Sequence, residues 1–574
     1  MRTKLEGCVP EFALPRRFAC WAILAWLSLL ACRGQGAIIP DNRRIVWDSG
    51  IPGGVPLRTT IFANVRNPPF AAKGDGMADD TDAIQRALDT CPSNQVVYVP
   101  TGVYKITRQL KVTGGITLRG AGPARTTLRY QGQADSQILA IRENTWIPYT
   151  TNIISGYVKG STTLQVEGPS GFKPGDMVLL DQLNDGLFVD KNGLQGCDYC
   201  SRDEGHRALG QLVQVAAKQG NQLTISPPFY WTYTDSLQPQ ITRLDFTTRW
   251  TGVEDLKLLN ASAGAEYNIL LESAGYCWLK NVESAGCRRR HVWTYYAFRC
   301  EIRDCYFHDA QSSFGPDHGY GVLLGSQSSA NLVENNIFAS LHVPMQNDSG
   351  SSGNVWSYNY VTNVLYDDPE WLQPDASTHG AHPMMNLWEG NSIHKIYTDW
   401  IHGSASHNTY FRNYARGWQP GNVYGNNAFG AEKQNTYMNV VGNVFGTLGH
   451  SDTYQLALAR RRHVERTIYE LGYATIGDDG PDGDANVEAT LLRHGNFDYV
   501  SRSVVWAPNI PERVLPASLY LTQKPTWWGP LPWPPFGPDL NPIVNKLPAQ
   551  VRFGSILAGS TKPAPPLNLR VTSP

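Results

Sequence analysis

Apolar positions in the middle of the chain fall into columns rather than into helical or simple alternating order. The frame is Asn-x-x-x-x-Asn, found as NLVENN from Asn331, NVWSYN from Asn354, NLWEGN from Asn386 and NTYFRN from Asn408. The second asparagines sit at 336, 359, 391 and 413, so the steps are 23, 32 and 22 residues. Leu332, Val355, Leu387 and Thr409 form one mostly apolar column, and Phe338, Val361, Ile393 and Ala415 another. A step of about 22 to 24 residues is what three short strands and three turns consume, so the pattern predicts a parallel β-solenoid. The 32-residue step reads as the same coil with a loop inserted. The frame extends weakly forward to Asn443 and backward to Cys300 and Cys305. Identical Asn side chains at a bend can hydrogen-bond along a stack spaced about 4.8 Å, which gives these columns a structural reading.

The N-terminal pattern is different. GDGMADDTDAIQ, from Gly74, is expected to open a short helix whose apolar face is Ala83, Ile84, Ala87 and Leu88. VVYVPTGVYKIT and LKVTGGITLRGAG follow as β-branched strands punctuated by glycine. This run, 74–122, resembles the opening of the pectate-lyase and rhamnogalacturonase superfamily of right-handed single-stranded parallel β-helices. The resemblance implies an all-β solenoid with an N-terminal capping helix covering an open strand edge. Asp75, Asp79, Asp80 and Asp82 then read as structural.

Two segments break the repeat. Residues 152–240 read as a small inserted antiparallel β subdomain carrying Cys197-x-x-Cys200, and beyond Gly449 the period fades into a helix expected at 453–471 and a Pro/Trp-rich stretch. The expected organisation is a leader at 1–36, first turns at 37–151, the insertion at 152–240, the main coil at 241–450, an irregular cap at 451–560 and a Pro-rich linker at 561–574.

Composition narrows the function. Lys plus Arg total 49 against 50 Asp plus Glu, so nothing favours a nucleic-acid partner. Arg16 and Arg17 precede the apolar run 18–31, which is the length of a signal-peptide core and too short to span a bilayer. Export is expected, to the medium, periplasm or cell surface, with cleavage near 34–36; cleavage before Cys32, leaving a lipid anchor there, is the alternative. No transmembrane segment is expected in the mature chain, and oligomeric state is not legible. Cys197 and Cys200 suggest a local disulfide, and Cys277 and Cys300, one turn apart, are compatible with another.

A coil of this type presents its loops as a long groove suited to a polymer. The densest polar stretch is 366–413, which holds 5 of the 13 histidines. Asp367 lies eight residues past Asn359 and Asp399 eight past Asn391, so the two carboxylates are expected on neighbouring ledges, where proximity would separate their pKa values into an acid and a base. His402 beside Asp399 suits a carboxylate-oriented imidazole. His379, His382 and Glu389 complete the catalytic candidates. Arg412 and Arg416 are candidates for a sugar carboxylate, Trp371, Trp400 and Trp418 for sugar stacking, and Asp317 and His318 for neighbouring sugars. The run Arg288 to Arg290 offers attraction to an acidic glycan or a solvated face. Each also has a bland reading as turn former, packing residue or pin for the Asn column. Together with the resemblance, they imply a secreted enzyme that cleaves a polysaccharide, uronate-containing in one version, by glycoside hydrolysis. Elimination, with His402 or Arg412 as base and the uronate carboxylate neutralised by Arg or a calcium ion, and polymer-level epimerisation are alternatives within the class. No metal or other cofactor is expected for hydrolysis. A non-catalytic glycan-binding surface protein is the alternative outside it.

Overall fold

The computed structural model describes residues 38–559, apart from 134–136, 143–147, 245–247, 263, 312–314, 316, 457–463 and 475–482. The expected leader, Cys32 and the Pro-rich terminus lie outside the described residues.

The chain winds as a parallel β-helix with three strand-bearing faces. One turn shows the plan. Leu332–Glu334 lies on the first face, Ile337–Leu341 on the second and Met345–Asp348 on the third. The next turn lays Val355–Ser357, Tyr360–Val364 and Ala376–His379 on them in parallel register. Inward positions stack like on like. Trp356 lies 4.9 Å from Trp388 with planes 6° apart, and Phe307 stacks on Phe338.

The asparagines are the bend between the first and second faces. Asn336 donates to Asn359 Oδ1 at 3.1 Å, Asn359 to Asn391 at 3.0 Å, Asn391 to Asn413 at 3.0 Å and Asn413 to Asn443 at 3.1 Å. Each Oδ1 also accepts the backbone N–H of the asparagine in the preceding turn, while the other amide hydrogen reaches a backbone carbonyl, as in Asn391 to Trp356. A second ladder runs through Asn331, Asn354, Asn386 and Asn408. The backbone N–H groups of Cys300 and Cys305 donate to Asn331 and Asn336, so the frame does extend backward through these cysteines. Side-chain amides thus satisfy buried backbone donors that a turn would orphan.

The coil continues past residue 450. Asn443 donates to Asn496, 53 residues on, and Leu492–His494 and Asn496–Asp498 extend the first two faces. The period fades in sequence because one long excursion separates these rungs. At both ends of the helix expected at 453–471 the chain is strand instead, Thr453–Gln455 and Thr467–Leu471 lying on the third face, while 457–463 fall outside the described residues. Residues 506–547 then run over the first two faces as a strap, where Arg412 is held by Asp539 and Tyr520 by Glu334. Among the described residues no helix is long and apolar enough to cross a membrane.

At the other end, Thr81–Thr90 packs Ala83, Ile84, Ala87 and Leu88 against the core. Its acids are structural: Asp80 accepts from Lys73 and Gly74 N–H, Asp75 from Met77 and Ala78, Asp79 from Thr81 and Thr107, and Asp82 pairs with Arg108. The inserted subdomain is a closed antiparallel barrel of six strands between Tyr149–Ser155 and Gln240–Leu244. It contains the Cys197–Cys200 disulfide. Cys277 and Cys300 stack as buried free thiols, each donating to a backbone carbonyl, rather than as a second disulfide.

Replacing Asn391 by Ala orphans the Asn359 N–H, the Trp356 carbonyl and an acceptor on Asn413 in a dry bend. A loss of about 3 to 5 kcal/mol is expected, at roughly 1 to 3 kcal/mol per unsatisfied group. Urea denaturation measures it, and a loss near zero would remove the ladder from the stability argument.

Candidate functional site

The third face carries the cleft. Its strands alternate inward and outward side chains: Met345 and Asn347 point into the core while Gln346 and Asp348 point out. Parallel pairing aligns Asp348 with His379 and Thr378 with Thr398, so Asp399 follows as the rung beyond His379. Thr398 pairs with Ala431, which places Glu432 next. The result is a column, Asp348, His379, Asp399 and Glu432, along the floor of a cavity of about 630 Å3.

Two walls bound it. On one side the loops between the second and third faces bring Asp317, His342, Tyr366, Trp371 and Lys395. On the other, a loop of the inserted barrel brings Leu194, Gln195 and Tyr199. Among the described residues no group of three or more His, Cys, Asp or Glu is arranged to hold a metal ion.

His379 is the chemical centre of the floor. Its Nδ1 donates to both oxygens of Asp399, at 2.9 and 2.8 Å. Burial by itself would lower the imidazole pKa, and the Asp399 carboxylate overrides it and raises it to about 9. Asp399 also accepts Ile401 N–H at 3.0 Å, which fixes its orientation. The His402 ring lies edge-on to His379 with centroids 5.1 Å apart, and its Nδ1 donates to the Gly196 carbonyl at 2.6 Å. In the neutral form of the ring that bond puts the proton on Nδ1 and leaves Nε2 as the acceptor. Glu432 is held by Tyr397 Oη at 2.6 Å and Trp400 N–H at 2.8 Å. Lys395 Nζ lies 4.6 Å from the centre of the Tyr397 ring.

Several sequence candidates lie elsewhere. Asp367 is exposed, outside the cleft lining and beside Gly315, and it does not stack with Asp399. Counting from the Asn column fails because the loop between the second and third faces varies in length. Asp348, His379, Asp399 and Glu432 lie 12, 20, 8 and 19 residues past their asparagines at 336, 359, 391 and 413. His382 is fully buried, donating to Ser404 O and accepting from Ser406 Oγ, and burial pushes its pKa down to about 4. Glu389 is buried on the first face between Tyr358 Oη and Leu519 N–H, with its pKa raised by burial to about 7.

Arg412 is fully buried and clamps the strap through Pro516 O, Phe536 O and Asp539. Arg416 bonds Ser392, Val361 O and His394. Trp400 donates to Asp190 and holds the barrel loop, while Trp418 stacks on His450 at 4.4 Å. Asp317 does line the cleft but is ion-paired with Arg289 and Arg290. His318 accepts from His342 through its carbonyl, and burial lowers the pKa of His342 to about 4. Asp348, Glu432, Tyr199, Tyr320 and Tyr397 were not singled out from sequence; strand alternation in MQND marks Asp348 as outward, but only the register puts it beside His379.

Comparison with known proteins follows the geometry. Residues 62–161 match the family model described as rhamnogalacturonase A/epimerase, pectate lyase-like. A probable glucan endo-1,3-beta-glucosidase of Arthroderma benhamiae is 37% identical over 84 residues, 15% of this chain and 9% of that protein. Alginate lyase 7 of Azotobacter vinelandii is 33% identical over 81 residues, 12% of this chain and 10% of the relative. The chain therefore spans about a tenth of the length of each of these two relatives. Among solved structures, the tailspike gp61 of Pseudomonas phage phi297 superimposes with a TM-score of 0.51 at 15% identity, over 72% of this chain and 70% of that one. Over 62–161 the chain matches the rhamnogalacturonase A/epimerase, pectate lyase-like family model, and as a whole it is a right-handed parallel β-helix.

Proposed function

We propose that this is an exported enzyme that binds a polysaccharide along the third face and cleaves it by acid–base hydrolysis. The observation that carries the reading is the His379–Asp399 pair on the cleft floor. Nδ1 is committed to Asp399, and among the described residues Nε2 has no hydrogen-bond partner. Protonated His379 delivers the Nε2 proton to the glycosidic oxygen as the C–O bond breaks, and Asp348, one rung away, takes a proton from the water that attacks the anomeric carbon. Asp399 orients the donor and keeps it charged. This replaces the acid pair expected from sequence, because Asp367 is not on the floor. The groove's length across several rungs suits a polymer, and the names of the glucanase and lyase that match the N-terminal segment support the class. The leader pattern and the Cys197–Cys200 disulfide support export.

One observation favours elimination as a second reading. In its neutral form His402 offers Nε2 as an acceptor, suited to removing the proton alpha to a uronate carboxylate.

Purified protein incubated with pectin, alginate, xylan, β-1,3-glucan and sulfated algal glycans is expected to release reducing ends without new ultraviolet absorbance. Absorbance would select elimination, and the assays run with calcium and with EDTA because that branch is where calcium is expected. A change in sugar composition without shorter chains would select epimerisation. Binding without products would select the glycan-binding alternative and overturn the hydrolytic reading.

His379→Asn is expected to lower kcat by about 10² to 10⁴ with the fold retained by circular dichroism. As the donor must be protonated, wild-type activity should hold through neutral pH and fall as pH rises through about 9. Asp399→Asn removes the charge that opposes burial, so that limb should move below about 6.5, the ordinary imidazole value. An unmoved limb would show that His379 is not the acid.

A further inference from the structure

We propose that the loop 193–200 of the inserted barrel, whose end the Cys197–Cys200 disulfide closes, completes the catalytic site and acts as a positioning element that fixes the hydrogen-bonding state of His402. The inference rests on the acid–base reading of the cleft for its consequence in turnover, but its structural content is separate from it.

The loop is tied to both histidine-bearing segments of the floor. Leu194 N–H donates to Ile401 O at 3.0 Å and Gln195 N–H to the same carbonyl at 2.8 Å. Asp190 and Ser404 exchange two hydrogen bonds, and Trp400 Nε1 donates to Asp190 at 2.8 Å. The disulfide closes the other contact: Cys200 Sγ accepts the N–H of Ala381, two residues after His379, at 3.2 Å. Gly193, at φ 52°, lies where an added Cβ would meet Trp400 O at 2.4 Å, so the docking requires glycine there.

Between these anchors stand the two groups that face the site. The Gly196 carbonyl takes the Nδ1 proton of His402, and Tyr199 packs its ring edge-on against His402 at 5.6 Å. Tyr199 lines the cleft with about half of its surface exposed, and among the described residues its hydroxyl has no hydrogen-bond partner. The crowding around that hydroxyl, and then the negative charge of Asp348 and Asp399, push its pKa far up, so it remains a proton donor toward a substrate oxygen. The four-residue ring from Cys197 to Cys200 is therefore more than a staple: Gly196 precedes it and Tyr199 lies inside it, so the bridge sets both groups at once.

The decisive measurement is the His402 tautomer, read from long-range proton–nitrogen NMR of histidine-labelled protein without any ligand. In the wild type, His402 should appear as the Nδ1–H form. In Cys197→Ala/Cys200→Ala, with the barrel folded by its remaining amide spectrum, it should shift toward the Nε2–H form that free imidazole prefers. An unchanged His402 signal in the double variant overturns the proposal.

Tyr199→Phe supplies the second arm, on whichever polymer of the panel the wild type turns over. A fall in kcat of about tenfold or more at unchanged melting temperature supports a substrate-contacting hydroxyl, and unchanged kcat and KM remove it. If the wild type turns over none of the polymers, the functional reading fails while the tautomer measurement still decides the role of the loop.

Discussion

Everything in this molecule depends on strands from successive turns pairing in parallel at a spacing of about 4.8 Å. That spacing is imposed by backbone hydrogen bonds and is indifferent to side chains, so the bends must be solved once and repeated. The Asn336 to Asn496 ladder is that solution. Each amide gives and receives in the direction of the coil, and the backbone N–H of each ladder asparagine from Asn336 to Asn443 finds an Asn acceptor on the next turn. The ladder also explains why insertions are tolerated. A loop can enter at the corner before the third face without disturbing the rungs, because register is restored at the next asparagine.

The same spacing makes the site. On the third face it lines up unlike residues from four turns, so that Asp348, His379, Asp399 and Glu432 share one column although they span 85 residues from Asp348 to Glu432. A carboxylate on the rung beyond an imidazole then raises its pKa to about 9 against the effect of burial. The insertion adds what the coil cannot. A coil corner presents a low ridge, whereas the barrel loop stands above the floor and brings Gly196 and Tyr199 to His402.

Much of the polar density between 366 and 416 is structural. His382, Glu389, Arg412 and Arg416 are each consumed by partners inside the protein. Polar residues in a coil of this kind serve two masters: bends and strap contacts need buried hydrogen bonds, and the groove needs reactive groups. Composition and clustering respond to both. His382 and His379 lie three residues apart in one loop, yet one is sealed under the barrel and the other opens on the cleft.

By itself the sequence determined the winding, the capping helix, the inserted β unit and the Asn ladders, since each rests on local pattern: an apolar column, a helix face, a hydrogen-bonding side chain at a fixed place in every turn. It also marked His379, Asp399 and His402. What it did not determine was the partner of Asp399. That depends on how many residues the corner before the third face consumes, a length that changes from turn to turn, and no local pattern encodes it. The tertiary structure alone replaced Asp367 with His379 beside Asp399, brought Asp348 and Glu432 onto the same floor, and carried Tyr199 to His402 across some two hundred residues. Contacts of that kind arise from register and from the docking of a distant loop, which are properties of the assembled coil.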